Sequence, residues 1–81
     1  MQRESEKDMT LYENLRNRIQ YIDDNITLKS DYSEELEALD GIKSDISVGR
    51  YLNAFSPQMA DILLKRIEHI INWILEEQAA G

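Results

Sequence analysis

The sequence predicts an all-α fold, a small three-helix bundle with a central, widely apolar C-terminal helix. Three observations carry this expectation. Apolar residues recur at spacings of three and four in three separate stretches, the period of a helix with one buried face. No run alternates apolar and polar residues as a half-buried strand would. Turn and capping residues fall between those stretches, at Asn25, Ser30 and Ser56–Pro57, where short connections would reverse the chain. The 81 residues suit one helical domain, 1–81, with 1–9 expected to be flexible and helices over about 10–25, 32–48 and 57–78.

The last helix has the clearest signals. Ser56 offers a hydroxyl to its first turn, and Pro57 fits the first helical position, where a missing N–H costs nothing. Met59, Leu63, Ile67, Ile70 and Ile74 form a stripe, widened by Ile62 and Trp73 on one side and by Leu64, Ile71 and Leu75 on the other. At 100° per residue the apolar arc covers about 220°, too much for a single neighbour to cover. This helix is therefore expected at the centre, with the other two packed on it.

For the first helix, Thr10 and Glu13 have the spacing of a capping box. Leu11, Leu15, Ile19, Ile22 and Ile26 then lie within about 80°, a narrow seam of the kind that pairs two helices. The second helix has Ser30, Asp31 and Ser33 as candidate caps and Tyr32, Leu36, Leu39, Ile42 and Ile46 on one face, with Gly49 as the expected stop. Gly41 falls mid-helix, at about 1 kcal/mol relative to alanine, but on the outer face, where no packing depends on a side chain. The connector Arg50–Phe55 carries Tyr51, Leu52 and Phe55, expected to plug one end of the core, with Phe55 stapling the last helix.

A chain of this size buries only about 60% of its unfolded surface, so extra stabilisation is expected. With no cysteine, disulfides and thiolate metal sites are excluded, leaving a homodimer as the expected means of covering surplus apolar surface. Asp61, Lys65, Arg66 and Glu68 interrupt the only strongly apolar stretch, and Met1–Met9 lacks the apolar core of a signal peptide; no membrane association and a cytoplasmic location are expected. The net charge of −7 argues against direct binding to nucleic acid and suits a basic protein partner.

That charge is concentrated. Between Asp23 and Asp45 eight acids stand against Lys29 and Lys43, which places −6 of the −7 in this stretch. Asp31, Glu34, Glu35, Glu37, Asp40 and Asp45 are the candidate partner-binding residues, a negative face that could engage a basic, nucleic-acid-binding surface by imitating phosphate spacing. An ordinary solvated helix face is the competing reading. Ile62, Arg66 and Trp73 form a candidate oligomer edge: Arg66 lies inside the apolar arc, where its stem would cover Trp73 or its guanidinium would pair with an acid of another helix or subunit.

Signals for catalysis are weak. His69 is the lone histidine, without a nucleophile or ligand partner one turn away, and glycines at 41, 49 and 81 make no phosphate-binding loop. Asp23, Asn25, Thr27, Asp31 and Glu34 match positions 1, 3, 5, 9 and 12 of a twelve-residue calcium loop, but Leu28 stands where its sharp turn needs glycine. No catalytic residue, metal or cofactor is assigned, and an enzyme is not expected.

Across residues 51–70, YLNAFSPQMADILLKRIEHI, the chain resembles the Ead-type accessory proteins of lambdoid phages. The resemblance rests on Ala54, the Ser56–Pro57 pair, Ile62, the Leu63–Leu64 step and Glu68, and covers about a quarter of the chain. It implies a mobile-element origin and, by analogy with small acidic phage proteins, an anti-CRISPR-like inhibitor of a host or defence protein, acting in the host cytosol. The alternative expectation is a structural or assembly protein whose purpose is its own helical homo-oligomer.

Overall fold

A computed structural model describes the backbone of residues 3–80 and the side chains of residues 11–80; Met1, Gln2 and Gly81 lie outside the described residues. Three helices, α1 (Arg3–Asn25), α2 (Ser33–Tyr51) and α3 (Pro57–Ala80), form a three-helix bundle. Each packs on the other two, so α1 and α2 also meet directly and the bundle closes as a triangle around a shared core. The molecule is long and narrow, 52 × 20 × 16 Å.

The core is built from the expected stripes. Leu15 and Ile19 of α1, Leu39, Ile42 and Ile46 of α2, and Leu63, Ile67, Ile70 and Ile74 of α3 are all buried, together with Tyr32, Phe55 and Ala60. The α3 stripe is narrower than its apolar arc. Ala60 replaces Met59 at its start, Met59, Leu64, Ile71 and Trp73 are half-buried at its margins, and Ile62 and Leu75 remain about half exposed. Two neighbouring helices cover only the stripe that faces their shared axis, so the outermost apolar positions of a wide arc stay at the surface.

The start of α3 follows its local signals, and the start of α2 departs from them. At α3 the Met59 N–H donates to Ser56 Oγ at 3.2 Å and the Ala60 N–H to the Ser56 carbonyl at 3.0 Å, with Pro57 in the first helical position. At the start of α2 none of the three expected residues takes the N-cap position, which falls on Tyr32; Asp31, just before it, accepts both the Ser33 backbone N–H at 2.9 Å and the Ser33 hydroxyl on its Oδ1. Tyr32 itself makes no side-chain cap; its ring is 2% exposed, lies edge-on to Trp73 at 5.9 Å, and its hydroxyl accepts the Lys29 N–H.

Three boundaries differ from expectation. Helix α1 begins at Arg3, seven residues before Thr10, so the backbone of the stretch expected to be flexible is helical from residue 3, and Thr10 is interior to the helix rather than its cap. Residues 3–9 contain neither glycine nor proline and are mostly good helix formers, so nothing there ends the helix. Helix α2 does not stop at Gly49. It runs to Tyr51 and ends in a Schellman arrangement with Asn53 in the left-handed region (φ 58°): the Ala54 N–H reaches back to the Gly49 carbonyl at 2.8 Å and the Asn53 N–H to the Arg50 carbonyl at 3.1 Å. Asparagine tolerates that conformation better than most residues, which is why the stop could move four residues on.

The third difference follows from the second. Of the connector's large residues only Phe55 enters the core; Tyr51 is 86% exposed and Leu52 66% exposed. Once α2 continues past Gly49, Tyr51 and Leu52 project from its outer side rather than folding over the core's end. Phe55 then fills that end, lying edge-on to Tyr12 at 6.3 Å and directly over Gly49, where an added Cβ would sit 2.5 Å from Phe55 Cζ.

Candidate protein-interaction face

The acidic residues of the α1–α2 connection and of α2 divide by what they touch. Asp31 is committed to the fold, and the hydroxyl of Ser33, then its backbone N–H, hold the Asp31 carboxyl below the usual carboxylate range. Glu35 is committed too. It pairs with Lys29 across the turn, and the Lys29 ammonium holds its carboxyl below the usual range even though partial burial pushes the other way; Glu35 in turn raises the Lys29 ammonium. Its Oε2 takes the ammonium while its Oε1 is buried without a partner. Asp45 reaches across the α1–α2 seam to Arg18 at 2.8 Å, with both side chains about half exposed.

Glu34, Glu37 and Asp40 are different. All three are exposed and have no hydrogen bond or ion pair among the described residues. The six sequence-nominated acids thus form two groups. Three stabilise the turn or the seam, and three are exposed without an ion pair, although Glu34 lies near enough to Lys29 to help raise its ammonium.

Following the outer side of α2 beyond Glu37 and Asp40 brings Gly41, Ser44 and then Val48, Tyr51 and Leu52. At 100° per residue Glu37, Gly41, Ser44 and Val48 fall on one line, opposite the buried Leu39, Ile42 and Ile46. Val48, Tyr51 and Leu52, at spacings of three and four, are 54%, 86% and 66% exposed. This apolar end was not legible beforehand, because Gly49 read as a stop and the residues beyond it as a plug. The available signal was Asn53, the other residue able to hold a left-handed cap.

On the opposite side of the bundle, the oligomer edge has a different character. Arg66 Nη1 donates to Gln20 Oε1 of α1 at 3.1 Å, so the guanidinium meets a neutral amide rather than an acid. Trp73 is half-buried against Tyr32, and only Ile62, at 48%, presents substantial apolar surface. Arg66 and His69 line an open groove of about 410 Å³ between α1 and α3, floored by Ile19 and Ile70. Asp23, His69 and Ile70 continue it into a further 250 Å³ beside Trp73. A third groove, about 420 Å³, runs between α1 and α2 beneath Tyr21 and Arg18.

The calcium-loop residues are dispersed: Asp23 faces the α1–α3 groove, the Asn25 amide donates back to the Tyr21 carbonyl, and Asp31 serves Ser33. Among the described residues no three of His, Cys, Asp or Glu are gathered to hold a metal ion, and no helix is long and apolar enough to cross a membrane. Compared with known protein families, with curated proteins and with solved structures, the chain matches none.

Proposed function

We propose that the protein is a non-catalytic protein-binding module that presents the outer side of α2 to a basic surface on another protein. The observation that supports this most directly is the division among the acids. Glu34, Glu37 and Asp40 carry unpaired negative charge along one exposed side, while the neighbouring Asp31, Glu35 and Asp45 are spent on the fold. Uncompensated like charges on one helix face cost a few tenths of a kcal/mol per neighbouring pair, and a cationic partner would turn that cost into attraction and faster encounter. A surface that binds nucleic acid has the required charge. The narrower reading, drawn from the local resemblance at residues 51–70, makes that partner a host or defence protein and the binding inhibitory.

The test is affinity capture from bacterial lysate at low and high salt, with the parent chain beside a Glu34→Lys, Glu37→Lys, Asp40→Lys variant. The expected result is a basic protein retained by the parent, released by salt and absent from the variant, with both chains equally helical. Equal capture by the folded triple variant would reject the reading. If the parent instead captures nothing and scatters light as a defined oligomer, the assembly role through Ile62, Arg66 and Trp73 replaces it.

A further inference from the structure

Gly41 and Gly49 lie on the same helix and have opposite explanations. Gly49 is required from within, because the Phe55 ring occupies the space of its missing Cβ. Gly41 has nothing within 4 Å of where a Cβ would stand, so no neighbour in the fold needs it bare. A mid-helix glycine is unfavourable relative to alanine, and here the fold offers no compensation. Close approach by a backbone from outside is a compensation that glycine uniquely permits.

What surrounds Gly41 specifies the kind of backbone. Ser44 continues the low profile one turn on. Val48, Tyr51 and Leu52 follow as an exposed apolar cluster of the size that anchors interfaces, one of them an aromatic with a polar tip. Glu37 and Asp40 flank the low point with unpaired negative charge. A ridge with a low point at its centre, apolar residues at one end and acids at the other complements a crossing helix with the reverse distribution.

We infer that α2 docks a cationic amphipathic helix of the partner protein, which crosses α2 at Gly41 and Ser44, lays apolar residues on Val48, Tyr51 and Leu52, and sets lysines or arginines against Glu37 and Asp40. This rests on the acidic-face reading above and adds the partner's secondary structure, its apolar anchor and the crossing point. Gly41 is then a specificity device: larger residues there would hold the two helices apart.

The probe is a synthetic 18-residue amphipathic helix of lysine, leucine and alanine, with alanine at its centre, titrated into the full chain and followed by amide chemical shifts and fluorescence anisotropy. Saturable binding is expected, with shifts confined to the outer side of α2 from Glu37 to Leu52. Gly41→Leu should weaken it at least tenfold without lowering the melting temperature, since leucine is a better helix former and meets nothing there; Gly41→Gln should act likewise. Tyr51→Ser with Leu52→Ser should weaken it by a similar factor, and Glu37→Lys with Asp40→Lys should abolish its salt dependence. Absence of saturable binding, or shifts centred on the α1–α3 groove, overturns the proposal. A charge-reversed chain that binds as well as the parent overturns the acidic-face reading and this proposal with it. A charge-reversed chain that loses the peptide, beside a Gly41→Leu chain that keeps it, overturns this proposal alone.

Discussion

The two sides of α2 obey different rules although they share one backbone. The inner side, Leu39, Ile42, Ile46 and Gly49, is fully enclosed, and every atom there has a neighbour whose position it constrains. The outer side, Glu37, Gly41, Ser44, Val48 and Tyr51, is exposed, and nothing stands within 4 Å of where a Cβ would sit at Gly41. On the inner side a residue is explained by what it touches; Gly49 is small because Phe55 is close. On the outer side the fold explains nothing, and a residue that costs stability there, as Gly41 does, points to something the bundle does not contain. The same residue type at two positions eight apart therefore carries two different kinds of information.

That contrast can be tested by substitution, and the largest effect belongs to the inner side. Leu39→Ala should cost about 2–5 kcal/mol, because it removes a fully buried side chain and leaves a cavity between three helices; Val48→Ala, one helix face away, should cost less than about 0.5 kcal/mol. Urea unfolding of the two variants measures both, and a similar cost for each would mean that the outer side is covered.

Gly49→Ala comes next. The added methyl meets the Phe55 ring at 2.5 and 2.7 Å, and overpacking of this kind costs about 1–3 kcal/mol, more than the improved helix propensity returns. In a Phe55→Ala background the same change should become stabilising, since the clash is gone and the propensity gain remains. A thermal double-mutant cycle reads the sign, and additivity would show that Phe55 is not what keeps position 49 bare.

Gly41→Ala should stabilise by up to about 1 kcal/mol, with nothing in the way of the new methyl. A loss of stability on calorimetry would mean that α2 is strained at this point. The smallest effect concerns pH. The Glu35 carboxyl is held below its ordinary range by Lys29, so its contribution is fully present above the ordinary glutamate pKa and is lost as pH falls through the depressed folded value; Asp31, held down by Ser33, behaves in the same direction. Denaturant midpoints measured from pH 7 to pH 3 should therefore fall less steeply for Glu35→Gln than for the parent. Parallel curves would mean that the Lys29–Glu35 pair does not hold the turn.

Much of this was legible before any coordinates. The seams Leu15–Ile19, Leu39–Ile42–Ile46 and Leu63–Ile67–Ile70–Ile74 are where helical periodicity put them, and the Ser56 cap forms as its chemistry required. Legibility failed where two residues offered the same local service. Gly49 and Asn53 can both close a helix, and nothing in their immediate neighbours says that Phe55 will claim the space over Gly49. Glu35 read as surface charge alongside Glu37 and Asp40, because its partner Lys29 becomes decisive only when the turn is formed, and Asp31 read both as a candidate cap and as part of that charged face until its bonds to Ser33 decided between them.

Periodicity, capping chemistry and charge composition are properties of near neighbours along the chain, and they were enough for three helices, their buried stripes and an acidic second helix. Which acids are spent internally, which glycine is forced, and which apolar residues are left outside depend on contacts between residues far apart in sequence, Phe55 with Tyr12, Asp45 with Arg18, Arg66 with Gln20. Those contacts exist only once three helices close into a triangle, because two neighbours can cover no more than the stripe that faces them and must leave the rest of each helix to water or to a partner.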